Sequence, residues 1–306
     1  MRRQPSFVAY FCLCIGLILS GPSPVQATPA ACERGTVLAI VAHPDDDLLF
    51  MNPDQSNAIH QGRCVWTVYL TSGDRGSGLP YLLARERGIQ AAYAHMAGVA
   101  NRWITSSWTV MNKPVVRHVL RDQPRIHLLM LRIPDPWLGA GWGSLTPLSL
   151  LESTPGTNIR TDAPYEQTYS RNDLVDWLAQ LIQAVRPNEV RLMDASIQIP
   201  YQKLCWRCRG HDHPDHIASA RLVNEAMQEA PGSYHQQAYL GYPSQELPAN
   251  LSPAAKALKT VTFLRYMAND WRYCPVQARC ARPHGPEAAW VWRQYHLPLN
   301  KTLKPD

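Results

Sequence analysis

Thr36-Val37-Leu38-Ala39-Ile40-Val41, running into Ala42-His43-Pro44-Asp45-Asp46-Asp47, is the stretch on which the fold turns. The apolar run between Gly35 and a turn reads as a buried strand. One imidazole, one proline and three consecutive carboxylates come directly after it. Adjacent acids repel one another and gain nothing by packing. They make physical sense beside a strong cation, and the histidine suggests a transition metal with mixed nitrogen and oxygen ligands. Without a cation the same residues are a solvated acidic turn. A second cluster, His211-Asp212-His213-Pro214-Asp215-His216, has the composition to complete such a site.

Outward from this strand, elements alternate. Residues 54–63 read as a short, weakly specified helix. Cys64–Thr71 is a strand rich in β-branched and aromatic residues. It ends in Ser72–Gly78, a glycine-rich loop lacking both the Gly-Lys-Ser/Thr of a phosphate cradle and the spaced glycines of a dinucleotide site. Residues 81–97 carry helical spacing and stop at Gly98. Further strands are expected at Val115–Val119 and Ile126–Leu131. Residues 132–168, rich in Gly, Pro, Thr and Trp, read as a long ordered loop. Ser170 and Asp173 form a capping-box pattern ahead of a helix that stops at Arg186-Pro187. Glu189–Met193 is a strand ending at Asp194, Pro214 starts a helix over 214–229, and Ala238–Gly241 is one more strand. A last helix opens at Ser252-Pro253 and runs to about residue 267. This rhythm predicts α/β architecture with parallel βαβ units.

Charge, cysteines and the N-terminus bound the setting. Arg2-Arg3, an uncharged apolar run from Phe7 to Leu19, and Val25-Gln26-Ala27 read as a secretory signal cut after Ala27. Roughly 280 residues then remain, with no later run long and apolar enough to span a bilayer. The formal charge of +6 falls by the two arginines of the leader. The remainder is too mild and dispersed to argue for nucleic acid. Of eight cysteines, Cys12 and Cys14 leave with the leader, and Cys32, Cys64, Cys205, Cys208, Cys274 and Cys280 remain. In an exported chain these suggest disulfides: Cys32 with Cys64 at a sheet edge, and local loops closed by Cys205–Cys208 and Cys274–Cys280. The expectation is a secreted or periplasmic protein of unstated oligomeric state.

In open α/β sheets ligands bind beyond the carboxyl ends of the strands, and both clusters fall there. They can therefore meet in space. Proline biases the residue before it to extended backbone, which holds His43 at the strand exit and places His213 at a helix N-cap, with His216 one turn on. Two imidazoles and a carboxylate, His43, Asp46 and His216, match the three-ligand pattern of catalytic zinc. A metal there lowers the pKa of water toward ~7, and Asp45 would take the proton. His213 would stabilise an oxyanion, with Asp215 holding it protonated. His213 as a fourth ligand is the competing assignment.

Ala42-His43-Pro44-Asp45-Asp46, Thr71-Ser72-Gly73-Asp74 and His213-Pro214-Asp215-His216 resemble, in order and spacing, the LmbE-like (PIG-L) zinc-dependent deacetylases over roughly residues 36–225. The resemblance implies a Rossmann-like, mostly parallel sheet with helices on both faces and the site at the C-terminal strand ends. It implies a single domain over 28–306, with a C-terminal extension from about 226. It implies a Zn2+ cofactor on His43, Asp46 and His216, with another divalent transition metal as the alternative. Asp45 is then general base and His213 the oxyanion-stabilising or acid group. Arg85, Asp74 and Asp135, the last in Ile133-Pro134-Asp135, are implied substrate-side residues, and Asp194 matches an acid ending the strand before the second cluster. Two positions depart from the pattern. Asp47 stands where the family usually has Glu, and Gly88 stands where many relatives carry Glu after the helix arginine.

The expected activity is hydrolysis of the N-acetyl group of an N-acetylglucosamine-type sugar or glycoconjugate. A non-catalytic, metal-containing carbohydrate-binding protein is the alternative. It leaves Asp45, which is not needed as a ligand, without a purpose. A thiol–disulfide exchanger using Cys205-Trp206-Arg207-Cys208 lacks the compact βαβ setting that such motifs occupy.

Overall fold

The structure, a computed structural model, describes residues 32–139, 141–206, 208–276 and 280–297. The leader expected over 1–27 lies outside them. In chain order the strands are β1 (Thr36–Val41), β2 (Cys64–Thr71), β3 (Trp103–Val110), β4 (Lys113–Leu120), β5 (Ile126–Ile133), β6 (Asn158–Arg160), β7 (Thr168–Ser170), β8 (Glu189–Met193), β9 (His235–Tyr239) and β10 (His296–Leu297). The helices are α1 (Asp46–Phe50), α2 (Asp54–His60), α3 (Leu79–Met96), α4 (Pro147–Ser153), α5 (Arg171–Val185), α6 (Pro214–Glu229), α7 (Pro253–Met267) and α8 (Glu287–Trp290).

One eight-stranded sheet has the order β10-β9-β8-β1-β2-β5-β4-β3. The pairs from β9 to β5 are parallel, and β10, β4 and β3 add antiparallel margins. Every residue of β1 is buried, as its unbroken apolar run requires of a central parallel strand. From β1 the chain steps through β2 to β5 on one side, and later from β8 to β9 on the other. Right-handed crossovers in opposite directions put their helices on opposite faces. Accordingly α2, α3 and α7 pack as one group, and α4, α5 and α6 as another. The reversal lies between β1 and β8, where an open sheet leaves a crevice.

Helix α5 shows how pattern becomes packing. Ser170 accepts from the Asp173 amide and Asp173 accepts from the Ser170 amide, completing the capping box. Leu174, Trp177, Leu178, Leu181 and Ile182 then share one buried face, each contributing roughly 1.5–3 kcal/mol. The helix ends at Arg186 with a left-handed backbone (φ 49°) just before Pro187.

Several elements differ from the sequence expectation. The alternative of a solvated acidic turn does not hold: Asp45 ends the turn as the N-cap, and buried Asp46 and Asp47 are the first residues of α1, where the helix N-terminus favours anions. Strand β3 was not expected. It is an edge strand with half its residues exposed and only Val110 buried, joined to β4 through Met111 and Asn112, both at positive φ (51° and 59°). That turn geometry normally announces itself with Asn-Gly, which this chain lacks there. Helix α4, capped by Thr146, interrupts the expected long loop. Strand β9 lies at His235–Tyr239 rather than Ala238–Gly241. Gly241 instead lies where a Cβ would be 2.1 Å from an Asp212 carboxylate oxygen, which lets Tyr242 come down onto the site.

Cys32–Cys64, Cys205–Cys208 and Cys274–Cys280 each pair at a Cα separation of 5.5 Å, within disulfide geometry. No helix among the described residues is long and apolar enough to cross a membrane.

Candidate active site

The exits of β1 and β8 bring the two clusters together. His43 Nδ1 lies 3.2 Å from His216 Nε2 and 3.3 Å from Asp46 Oδ2, and His216 Nε2 lies 3.0 Å from Asp46 Oδ1. All three side chains are buried. Each is also held from behind. The His43 amide donates to Asp46 Oδ2 at 2.6 Å, and His216 Nδ1 is 2.7 Å from Asp212 Oδ1. A proton on Nδ1 shared with Asp212 leaves the Nε2 lone pair aimed at the lone pairs of His43 and Asp46. These three buried ligand atoms lie close enough together to hold one metal ion, and two imidazoles with a carboxylate are a donor set that suits zinc. The electrostatics agree. Burial opposes charge on His216, yet Asp46 and Asp212 push its pKa up to about 10. Burial likewise opposes charge on His43, and Asp46, Asp215 and Asp135 hold it well above the ordinary imidazole value.

Asp212 has no role that the sequence alone reveals. It accepts from His216, from its neighbour's amide (His213, 2.8 Å) and from the Tyr242 amide (3.2 Å). Its place four residues before a candidate ligand was the available signal.

Asp45 sits beside this centre, its Oδ1 2.7 Å from Arg85 Nη2. Arg85, read as a substrate-side residue, lines the cavity but is also held by its own chain. Its Nη1 donates to the Gly73 carbonyl (2.8 Å) and its Nε to Tyr266 Oη (2.6 Å), with Asp270 Oδ2 at 3.8 Å. The guanidinium thus orients Asp45 through Nη2 while Gly73 and Tyr266 fix the guanidinium. Tyr266 and Asp270 come from α7 and its C-terminal end, and Tyr81 also donates to Asp270 (2.6 Å). This explains the departure at Gly88. A Cβ there would be 2.7 Å from the Tyr266 ring and 2.8 Å from its carbonyl oxygen, so only glycine admits α7 this close.

His213 takes the N-cap of α6, as its Pro214 neighbour demanded. Its Nδ1 accepts the Asp215 amide hydrogen at 3.2 Å, so the ring proton belongs on Nε2. Burial, then the neighbouring His43 and His216, hold His213 well below the ordinary imidazole range. The expected protonated His213 supported by Asp215 is thus revised. Asp215 Oδ2 lies 4.0 Å from His213 Nδ1 but 3.4 Å from His43 Nε2, and Thr146 Oγ1 donates to its other oxygen. Asp215 is placed to steady His43.

The remaining acids divide. Asp74 faces away from the cavity: it accepts from Ser72 Oγ, the Gly78 amide and the Asp135 amide, each at 3.0 Å. It shapes loops and is not placed as a substrate contact. Asp135 does line the cavity, 3.7 Å from His43 Nε2, and burial pushes its pKa up to about 6. Asp194 turns the chain after β8 by accepting the Ser196 amide (2.7 Å). Asp47 points into the core, where Tyr69 and Tyr93 donate to its two oxygens at 3.0 and 2.7 Å.

A cavity of about 230 Å³ opens over the centre. His43, Asp45, Asp46, Asp135 and His213 form its floor. One wall is aromatic: Tyr242 stacks on Trp290 (4.4 Å between ring centroids), and Trp142 and Trp206 continue the layer. A bridge between Trp142 and Cys205 ties the long loop to the Cys205–Cys208 loop.

The family described as GlcNAc-PI de-N-acetylase (PIG-L) matches residues 38–227. No curated protein matches significantly. Among solved structures, the conserved protein TT1542 from Thermus thermophilus is 19% identical, with 79% of this chain and 84% of that one covered and a TM-score of 0.43. The N,N'-diacetylchitobiose deacetylase from Pyrococcus horikoshii is 16% identical (78% and 73% covered, TM-score 0.42). GalB, the 4-carboxy-2-hydroxymuconate hydratase from Pseudomonas putida KT2440, is 14% identical (84% and 82% covered, TM-score 0.41). The family match spans more than half of the chain and contains both histidine–aspartate clusters: the protein belongs to the PIG-L de-N-acetylase family.

Proposed function

We propose that this protein is a zinc-dependent hydrolase that removes the acetyl group from an N-acetylglucosamine-type sugar or glycoconjugate. The observation that carries the reading is the convergence of His43 Nδ1, His216 Nε2 and Asp46 with Asp45 alongside. His43, Asp46 and His216 would hold the zinc, which supplies Lewis acidity at a substrate carbonyl and acidifies water.

The chain's own groups do the rest. Asp45, anchored through Oδ1 by Arg85, has its second oxygen for the proton of the attacking water. The water oxygen bonds to the acetyl carbon as that proton leaves. The Nε2–H of neutral His213 donates to the carbonyl oxygen as it gains negative charge. Because the Asp215 amide occupies Nδ1, His213 has no second proton to give. Asp45 therefore returns the proton to the sugar nitrogen as the carbon–nitrogen bond breaks, yielding acetate and the free amine. The aromatic wall gives the sugar an apolar face to lie against. The three disulfide-ready cysteine pairs support the reading of an exported chain.

The test is acetate release from a panel of N-acetylglucosamine glycosides, using zinc-reconstituted and chelated protein. Release that depends on zinc and is lost in Asp45→Asn supports the proposal; equal release after complete metal removal refutes it.

A further inference from the structure

Two arginines line the cavity, and they differ. Arg85 is fully engaged by Asp45, the Gly73 carbonyl and Tyr266. Arg75, on the loop after β2, lies over the ring of Trp137 at 5.8 Å and makes no ion pair among the described residues. The charged groups that feel it already have other partners. Asp45 is bonded to Arg85, Asp270 accepts from Tyr81 and Tyr266, and burial pushes the carboxyl of Glu287, on the same cavity wall, up to about 7 even with Arg75 favouring its charge. Burial and Arg85 oppose the charge on Arg75, but Tyr81, Asp270 and Asp45 outweigh them, so it remains a cation at the cavity wall with no carboxylate bonded to it among the described residues.

The pair is also built, not incidental. Asp74 bonds the Gly78 amide of the Arg75 loop through one oxygen and the Asp135 amide, two residues before Trp137, through the other. That carboxylate staples the two loops and fixes Arg75 relative to Trp137. The Trp137 ring is 60% exposed at the cavity mouth, so one side of it remains for a ligand.

We propose that Arg75 and Trp137 form a second subsite that takes an anionic group, a carboxylate or a phosphate, carried by the acetylated sugar or by the unit attached to it. The inference rests on the deacetylase reading and narrows its substrate class. The guanidinium fork pairs with the anionic oxygens, and the indole carries the ring or chain between that anion and the acetamide.

The test compares a neutral and two charged substrates on the zinc-loaded full chain: methyl N-acetylglucosaminide, N-acetylmuramic acid for the carboxylate, and N-acetylglucosamine 1-phosphate for the phosphate. The wild type is expected to favour at least one charged substrate by ~10–100-fold in kcat/KM, the range of a charge-assisted pair. Arg75→Gln brings that ratio near one, Arg75→Glu inverts it, and Arg75→Lys restores part of it. A wild type with no charge preference, or a preference that survives Arg75→Gln, overturns the proposal. If no substrate is turned over, the deacetylase reading fails instead. Calorimetric binding of the same compounds to wild type and Arg75→Gln then decides the subsite by the same ratios.

Discussion

Replacing Gly88 with alanine sets two known effects against each other. In an open helix the change would stabilise by ~1 kcal/mol, because alanine is the better helix former. Here the added Cβ would lie 2.7 Å from the Tyr266 ring and 2.8 Å from its carbonyl oxygen. The backbone oxygen cannot rotate away, so α7 must withdraw from α3 by on the order of 1 Å, and overpacking of this kind costs about 1–3 kcal/mol. The net expectation is a loss of about 0–2 kcal/mol, read as a melting point lowered by up to ~4 °C. Activity should suffer more than stability. The 2.6 Å bond from Arg85 to Tyr266 lengthens, Arg85 loses a fixed position, and Asp45 moves with it. Misplacement of ~1 Å in a reacting group can cost ~100-fold. The assays are thermal unfolding and acetate release on the same zinc-loaded preparation. A Gly88→Ala protein that melts higher and keeps its full kcat/KM would refute the argument that α7 must approach this closely to set the base.

Asp45→Asn should lower kcat by ~100- to 10,000-fold with little change in melting point or zinc content, checked by kinetics and metal analysis together. Asp212→Asn should weaken zinc affinity ~10–100-fold, measured by competition with a chelator, because His216 loses the carboxylate that fixes its tautomer. His127, stacked on Trp66 at 3.8 Å, has its pKa pushed down to about 4 by burial and, secondarily, by Arg117. The unfolded chain takes up that proton near 6.5, so the folded state loses stability as pH falls from 6.5 toward 4. His127→Phe keeps the stack and should flatten that part of the stability–pH curve; an unchanged slope in urea titrations would count against it.

The convergence of His43, Asp46 and His216 was legible because each is tied to a local signal. His43 and His213 precede prolines, which pinned one to a strand exit and the other to an N-cap, and three-residue spacing delivered His216 into the first turn. The parallel core was legible in β1, β2 and β8 from their apolar runs. Partners across the chain were not. Arg85 read as a substrate residue because nothing local to it announces Tyr266 and Asp270 far along the chain. Asp74 read the same way, although its bonds to Gly78 and Asp135 consume it. The edge strand β3 escaped because its turn uses Met111 where glycine or asparagine would have flagged it. Asp47 made no sense as a chemical group, and its burial against Tyr69 and Tyr93 shows it to be a core residue with a polar anchor.

The family match stops at residue 227, yet Tyr242, Tyr266, Asp270, Glu287 and Trp290 all come later and all touch the site or the residues that aim it. A ribosome delivers those residues last. Both histidine–aspartate clusters are made early, but Asp45 is unaimed and the aromatic wall lacks Tyr242 and Trp290 until the final fifth of the chain has been made and packed. Competence is thus gated by completion: a product ending where the family match ends would carry both histidine–aspartate clusters but neither Tyr266 nor Asp270 to hold Arg85 against Asp45.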